Sequence, residues 1–269
     1  MAVKITFIGA GNMASSLAGG LIAKGYEPSA ITLADVNEQQ LQHVRSTLGV
    51  NTSRDNLSAC KKADVIVLAV KPQVMGNVLQ PLAELTEAKK PLVISIAAGI
   101  PLHKLEGWLG TQTPIVRCMP NTPSLVEAGA TGLFANSSVS ADQRDLAKSI
   151  LAAVGLALWV ESEDQIDAVT AVSGSGPAYF FLVMEAMINA GKALGLSEQV
   201  AKQLTLQTAL GSAQMAITSE DEPAVLRQKV TSPGGTTERA INIMEEQGLR
   251  DIFKAALTGA YERSKELAK

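Results

Sequence analysis

The first fourteen residues constrain the fold of this chain more than any other stretch. A run rich in β-branched side chains, residues 3–8, leads into Gly9-Ala-Gly-Asn-Met-Ala14, and a helical pattern of apolar residues follows at once. In such a strand–turn–helix unit the first glycine permits the tight turn and the second lets backbone amides approach a pyrophosphate, while the small alanine allows close packing. We therefore expect a dinucleotide to bind at Gly9, Gly11, Asn12, Met13 and Ala14. A glycine turn with a purely structural purpose is the alternative.

A second strand-like run ends in a carboxylate at the spacing that dinucleotide folds use. Residues 31–34 are followed by Asp35, about twenty residues beyond Ala14. An acid at this position can accept hydrogen bonds from both ribose hydroxyls of NAD and repels the additional phosphate of NADP. The sequence thus favours NAD without excluding NADP, and Asn37 and Arg54 could weaken the preference. An ordinary surface acid is the alternative for Asp35.

Three further runs of apolar residues are typical of strands buried on both faces of a parallel sheet. They are residues 64–70, 92–98 and 115–119. The carboxyl ends of parallel strands form the ligand-binding edge of an open α/β sheet. Cofactor contacts are therefore expected at Ala69, Val70, Lys71, Pro72, Ala97, Ala98, Gly99 and Asn121. A solvated lysine and a turn-capping amide are the alternatives for Lys71 and Asn121.

The periodicity changes after residue 162. Strand-like runs at residues 131–136 and 157–160 complete the first region, and only helical periods follow Asp164. We predict an α/β Rossmann-type N-terminal domain over residues 1–162 and an all-helical C-terminal domain over residues 163–269. Several predicted helices are apolar on all sides, which favours burial in a two-fold dimer over a tight monomeric bundle.

Two glycine-rich loops interrupt the predicted helices. Ser173-Gly-Ser-Gly-Pro-Ala178 precedes one helix, and Ser232-Pro-Gly-Gly-Thr-Thr237 precedes another. The second loop presents amides and hydroxyls at a helix N-terminus, an arrangement that binds small carboxylates well. Helix capping alone needs a single hydroxyl. We therefore expect a substrate site at Gly234, Gly235, Thr236 and Thr237.

Composition and charge narrow the class of function. The chain has 269 residues and a formal net charge of −3, without a cluster of lysines and arginines, so nucleic acid is not an expected partner. We find no signal sequence and no apolar stretch of the ~20 residues that a membrane span requires. Cys60 and Cys118 lack metal-ligand spacing. No metal is expected, and free thiols predict a cytoplasmic protein.

Six motifs together resemble the pyrroline-5-carboxylate reductase family, in the family's order along the whole chain. They are Phe7-Ile-Gly-Ala-Gly-Asn-Met13, Ala69-Val-Lys-Pro72, Ser95-Ile-Ala-Ala-Gly99, Arg117-Cys-Met-Pro-Asn-Thr-Pro123, Ser173-Gly-Ser-Gly-Pro-Ala-Tyr179 and Ser232-Pro-Gly-Gly-Thr-Thr237. The resemblance implies reduction of the cyclic imine L-1-pyrroline-5-carboxylate to L-proline, with NADH or NADPH as hydride donor. It also implies a domain-swapped homodimer, often assembled into a decamer, and places Asn56 at the adenosine ribose.

The proton donor stays open at this stage. Ser175, Thr236, Thr237 or a bound water could hydrogen-bond the imine nitrogen, and Ser175 is also a candidate for substrate binding. In some relatives a threonine one turn into the helix after the Ser173–Ala178 loop makes this contact, but Leu182 stands at the matching place. A protonated imine can enter from solution, so positioning rather than a titratable residue would carry the reaction.

Two other functions fit parts of the pattern. A β-hydroxyacid dehydrogenase combines a similar cofactor domain with helices but uses a lysine in the helix after its glycine-rich turn, and residues 178–187 contain no lysine. A dinucleotide sensor would bind cofactor without turnover. The specific second loop favours an enzyme over a sensor.

Overall fold

The computed structural model describes residues 2–268, which form two compact units. The first unit runs to Ser175 and includes the end of the chain from Ala260 onward, and the second comprises Gly176–Gly259. The two compact units divide after Ser175, whereas the sequence predicts a domain boundary after residue 162. That domain boundary stays a prediction. The secondary structure of the two units confirms the predicted fold class. The first unit is built on a mostly parallel sheet covered by helices, and the second unit is helical.

One eight-stranded sheet forms the centre of the first unit, in the order β3-β2-β1-β4-β5-β6-β7-β8. All neighbours are parallel except β6 and β7, which are antiparallel. The strands are β1 Ile5–Ile8, β2 Ile31–Ala34, β3 Asn51–Ser53, β4 Val65–Leu68, β5 Leu92–Ser95, β6 Ile115–Met119, β7 Gly129–Ala135 and β8 Gly155–Trp159. The order reverses between β1 and β4, and ligands bind at such a switch point in open α/β sheets.

Helices cover both faces of this sheet. They are α1 Asn12–Ala23, α2 Glu38–Leu48, α3 Asn56–Cys60, α4 Met75–Leu79, α5 Ala83–Lys89, α6 Leu102–Leu109, α7 Ala141–Leu151 and α8 Gln165–Val169, with a π turn at Thr170–Gly174. One core cluster joins β-strand side chains to α1, α2 and α7, and the other joins them to α4 and α6. The four central strands β1, β4, β5 and β6 are almost wholly buried, which explains their continuous apolar sequences.

Local signals predicted several of these elements well. The capping box of Ser140 and Gln143 begins α7, and Gly49 ends α2 in the left-handed conformation. The apolar pattern over residues 74–85 predicts a helical stretch, and the structure divides it: a 3₁₀ turn at Pro72–Val74 precedes α4, and a second at Gln80–Leu82 separates α4 from α5. Pro81 lacks the amide hydrogen that a continuous helix needs there.

The sequence pattern does not predict β3 and α3, because both are short and largely polar. Asn51–Ser53 has no apolar alternation, and Asn56–Cys60 makes little more than one helical turn. Their positions come from partners elsewhere in the chain, since β3 pairs with β2 and Asp55 caps α3 through the Ser58 amide. Such elements carry no periodic signal of their own.

The second unit is helical throughout. It contains α9 Gly176–Ala193, α10 Glu198–Thr218, α11 Pro223–Lys229, α12 Thr236–Glu246 and the greater part of α13 Leu249–Leu267. The α9 and α10 helices pack on each other, with Gly191 close to Ala201. Many large apolar side chains of this unit remain exposed, among them Phe180, Phe181, Leu182, Leu204 and Met215.

The helical run Gln165–Ala193 corrects one expectation from the sequence. By length and composition it meets the requirement for a membrane span, with a mean hydropathy of 1.3 in its most apolar window. The glycine-rich loop Ser173–Ala178 divides this run in the sequence pattern, whereas the helical run extends through the loop in the structure. Only 11% of that window is buried within the chain.

The end of α13 returns to the first unit. Ser264 Oγ donates a 2.6 Å hydrogen bond to Asp167 Oδ1, and both residues are buried. Lys104 Nζ donates to the backbone oxygen of Ala268 at 3.0 Å, and the Gly99 backbone lies against Leu267. These contacts attach the C-terminal turn to α8 and to the segment that follows β5.

A buried ion pair joins three segments of the first unit. Arg117 on β6 donates from Nη1 to Glu163 Oε1 at 2.8 Å, and Glu163 also accepts the Leu102 amide at 2.7 Å. The Arg117 side chain is only 4% exposed. Removing one partner of such a pair leaves a buried charge without compensation, which is much more costly than losing an exposed pair.

We predict that Glu163→Ala lowers the free energy of unfolding by about 3 kcal/mol, because it leaves Arg117 and the Leu102 amide unpaired. Urea unfolding followed by circular dichroism measures the loss. Glu266→Ala is the matched control, since it removes a single ion pair of similar length, 2.7 Å to Arg263 on the surface, and should change stability little. Equal effects of the two substitutions would contradict a structural role for the buried pair.

Candidate functional site

The turn at Gly9 packs directly against the carboxyl end of β4. Gly9 has φ of +99°, and a Cβ there would lie 2.6 Å from the Ala69 backbone oxygen. Its amide donates to the Ala34 oxygen at 2.7 Å, while the Ala69 amide donates to the Ile8 oxygen at 2.8 Å. Both the conformation and the space therefore require glycine. This turn joins the ends of β1, β2 and β4 at one edge.

The N-terminus of α1 is open to a ligand. Gly11 is the N-cap residue, no side chain caps the helix and no acid stands in its first turn. A Cβ on Gly11 would meet no atom within 4 Å. Unsatisfied amides and the positive end of a twelve-residue helix thus face open space. This arrangement fits the diphosphate of a dinucleotide, as the glycine spacing predicts.

Asp35 holds the backbone of this turn. Its Oδ2 accepts the Ala10 amide at 2.8 Å, and its Oδ1 accepts the Asn37 amide at 2.9 Å. Gln40 Nε2 donates to the Ala10 oxygen at 2.6 Å, so both polar groups of Ala10 are fixed by side chains. The predicted contact of Asp35 with a ribose stays a prediction, but the structure gives the carboxylate a shaping role that sequence reasoning missed.

Other predicted cofactor residues lie at the same edge or cap its elements. Asn37 caps α2 by accepting the amides of Gln39 and Gln40 at 3.0 and 3.3 Å. Lys71 and Ala98 are exposed after β4 and β5. Asn56 lines a cavity of about 370 Å³ together with Arg54 and residues of α4. Their contacts with the cofactor stay predictions.

Asn121 is buried, and the structure uses its amide to fix two loops. Its Oδ1 accepts the Ala130 amide at 2.8 Å, and its Nδ2 donates to the Ser173 oxygen at 3.0 Å. The Ser175 amide ends the π turn by donating to the Thr170 oxygen at 2.8 Å. Asn121 thus ties the loop after β6 to the segment that carries Ser175. A direct contact of Asn121 with the cofactor stays a prediction.

In the second unit, the loop before α12 is only partly available for a substrate carboxylate. The Gly234 amide donates to Glu238 Oε2 at 2.7 Å, and the Gly235 amide donates to the Ser232 oxygen at 3.0 Å. Gly235 is the N-cap residue, so neither Thr236 nor Thr237 caps the helix. The amides of these threonines belong to the first helical turn, which has no intrahelical acceptors for them. The two threonines are therefore the stronger candidates.

Neither cysteine suits nucleophilic chemistry. Burial, with a smaller effect of the Asp55 carboxylate, raises the pKa of Cys60 to about 12. Burial also raises the pKa of Cys118, which lies inside β6. Within residues 2–268, no three His, Cys, Asp or Glu side chains are grouped so that they could hold a metal ion.

Comparisons with known proteins decide the family. Residues 4–99 match a family model described as NADP oxidoreductase, coenzyme F420-dependent, and residues 163–267 match one described as pyrroline-5-carboxylate reductase dimerisation. Over 265 residues the chain is 54% identical to a pyrroline-5-carboxylate reductase from Pseudomonas aeruginosa, covering 98% of this chain and 97% of that protein. This chain belongs to the pyrroline-5-carboxylate reductase family.

Solved structures support the same assignment. The fold is similar to that of a pyrroline-5-carboxylate reductase from Coxiella burnetii, with a TM-score of 0.97, 51% identity and full coverage of both chains. A pyrroline carboxylate reductase from Plasmodium falciparum with NADP bound gives a TM-score of 0.87 at 31% identity, covering 99% of this chain and 98% of that one. The family predicted from the motifs is confirmed, and with it an oxidoreductase that uses NADH or NADPH.

We predict that Asp35→Ala weakens the binding of both NADH and NADPH by about tenfold, because the Ala10 amide loses a charged acceptor and the turn loosens. Fluorescence titration of each cofactor measures the change. Asp145→Ala, which removes an exposed charge from α7, is the control. Unchanged affinity for both cofactors would contradict the shaping role, and a loss confined to NADH would assign Asp35 to the ribose alone.

Proposed function

We propose that this chain reduces L-1-pyrroline-5-carboxylate to L-proline with NADH or NADPH, the last step of proline biosynthesis. The start of α12 carries the proposal, because its cap residue has no side chain and two threonines follow in the first turn. A helix N-terminus with adjacent hydroxyls suits a small carboxylate. The full-length similarity to pyrroline-5-carboxylate reductases supports a cyclic imino acid as the molecule that carries this carboxylate.

The residues of this chain act by binding and orientation. Thr236 and Thr237 would bind the substrate carboxylate through amides and hydroxyls, while Gly234 and Gly235 keep the loop in shape through their bonds to Glu238 and Ser232. A fixed carboxylate determines which ring carbon can meet the cofactor. Orientation of this kind can supply a large part of a rate enhancement.

A bound NADH or NADPH would supply the hydride that reduces the imine carbon, and the π electron pair of the C=N bond would remain on nitrogen. A nitrogen already protonated in solution needs no further proton to become the secondary amine of proline. Ser175, Thr236 or Thr237 would hydrogen-bond that nitrogen and hold the protonated form. The two histidines stand on α2 and α6 as His43 and His103, outside the candidate residues.

The predicted domain roles and the assembly belong to the same proposal. Residues 1–162 would bind the cofactor, and residues 163–269 would bind substrate and form a homodimer in the cytoplasm, with decamers as the higher assembly implied by the family. The exposed apolar side chains of α9 and α10 need a covering partner. In the first unit, an apolar cavity of about 600 Å³ beside β8, lined by Leu158 and Val172, is a further apolar surface. A second copy of the chain is the proposed partner.

The reaction is tested by following NADH and NADPH absorbance with purified protein, with and without L-1-pyrroline-5-carboxylate. We expect oxidation that depends on the imine and yields proline. Binding of cofactor without oxidation would favour the sensor function. No oxidation with the imine, together with reduction of NAD⁺ or NADP⁺ in the presence of a β-hydroxyacid, would favour the dehydrogenase.

We predict that Thr237→Val raises the KM for L-1-pyrroline-5-carboxylate about tenfold with little change in the KM for the cofactor, because it removes one hydroxyl from the carboxylate site. Initial rates at varied substrate and cofactor give both constants. Thr258→Val on α13, whose hydroxyl bonds the Lys254 backbone oxygen, is the matched control. Equal changes in both KM values would remove Thr237 from the substrate site.

A further inference from the structure

The segment after β3 places a cation beside the predicted ribose acid. Ala34 pairs with Ser53 in neighbouring parallel strands, and the Asp35 amide donates to the Ser53 oxygen at 3.1 Å. Asp35 and Arg54 are therefore the first residues beyond two adjacent strands at the carboxyl edge. That edge is where an open α/β sheet binds its ligand.

The Asp35 carboxylate does not settle the choice of cofactor by itself. Each of its oxygens already accepts a backbone amide, from Ala10 and from Asn37. These bonds direct the carboxylate toward the glycine turn and compensate part of its charge. The preference for NAD that the sequence predicts assumes that the Asp35 carboxylate faces the ribose. In the structure both of its oxygens instead bind backbone amides, so other residues can contribute to the choice of cofactor.

Arg54 is held far more loosely than a nearby arginine on α2. Its Nε lies 3.9 Å from Glu38 Oε2, beyond hydrogen-bond distance, and its side chain is 70% exposed. Arg45, by contrast, directs both Nε and Nη2 at Thr52 Oγ1. Arg54 also lines the cavity that contains Asn56. Its guanidinium can therefore turn toward a ligand at modest cost, whereas that of Arg45 is fixed.

We propose that Arg54 binds the 2′-phosphate of NADP(H), and that Glu38 competes with this phosphate for Arg54. A phosphate monoester carries nearly two negative charges at neutral pH, which the carboxylates of Asp35 and Glu38 repel. The planar guanidinium matches phosphate oxygens in a bidentate contact and offsets that repulsion. With NAD(H), Arg54 keeps Glu38 as its partner.

The consequence is an enzyme that accepts both cofactors. The ratio of the two affinities is set by Arg54, which follows β3, and by Glu38, which begins α2. Asp35 shapes the glycine turn for both NAD(H) and NADP(H). This inference rests on the use of NADH or NADPH by the chain. It does not depend on the identity of the imine.

The test measures binding of two fragments that differ only in the 2′-phosphate, 2′,5′-ADP and 5′-AMP, by titration calorimetry on the purified protein. We expect Arg54→Ala to lower the affinity for 2′,5′-ADP at least about tenfold, because charge-assisted hydrogen bonds are lost. The affinity for 5′-AMP should change less than about twofold. Glu38→Gln should raise the affinity for 2′,5′-ADP severalfold and leave the affinity for 5′-AMP unchanged.

Arg45→Ala is the matched control, because it removes the same charge from the far end of α2. It should not change the ratio of the two affinities. Equal weakening of both fragments by Arg54→Ala, or no weakening of 2′,5′-ADP, would overturn the proposal. Should Arg54→Ala fail to fold, Glu38→Gln decides alone, and no gain for 2′,5′-ADP would overturn it.

The outcome is separable from that of the proposed reaction. Fragment binding requires no turnover, so an inactive protein can still show the contrast between 2′,5′-ADP and 5′-AMP. Conversely, a protein that reduces the imine with both cofactors and shows no such contrast would refute only the role of Arg54.

Discussion

The contact between the Gly9 turn and the end of β4 is the constraint on which the cofactor edge depends. A side chain at Gly9 would collide with the Ala69 oxygen, so the turn can close only as glycine and in a left-handed conformation. Its closure lets α1 begin at Asn12 with an uncapped N-terminus over the edge of the sheet. The backbone amides that would meet a diphosphate are therefore positioned first by backbone packing.

A second layer of hydrogen bonds holds that turn in place. Asp35 and Gln40 bind the amide and the oxygen of Ala10, and Asn37 fixes the start of α2 next to them. The acid that a sequence motif associates with the ribose thus also maintains the geometry of the phosphate site. Because the Asp35 carboxylate binds backbone amides, the exposed charges of Arg54 and Glu38 can determine the discrimination between NAD(H) and NADP(H).

The helical unit meets a different requirement. Its apolar helices expose large side chains, and in the loop before α12 the amides of Gly234 and Gly235 make internal hydrogen bonds. Exposed apolar faces favour assembly, which agrees with the dimerisation model that residues 163–267 match. The remaining threonines provide a compact group of donors without any group that titrates near neutral pH. Such a design suits a reaction in which the cofactor carries the chemistry and the protein supplies orientation.

Local patterns in the sequence determined the strand–turn–helix start, the buried parallel strands, the helical second region and the family, because each leaves a periodic or glycine-based signature. Tertiary structure alone decided the rest. The polar strand β3 exists through its pairing with β2, and Glu163 reaches Arg117 and Leu102 from distant positions in the chain. Likewise, Ser264 returns the end of α13 to Asp167. A sequence shows which groups can donate and accept, but the partner that satisfies each of them is chosen only when distant segments are brought within hydrogen-bond distance.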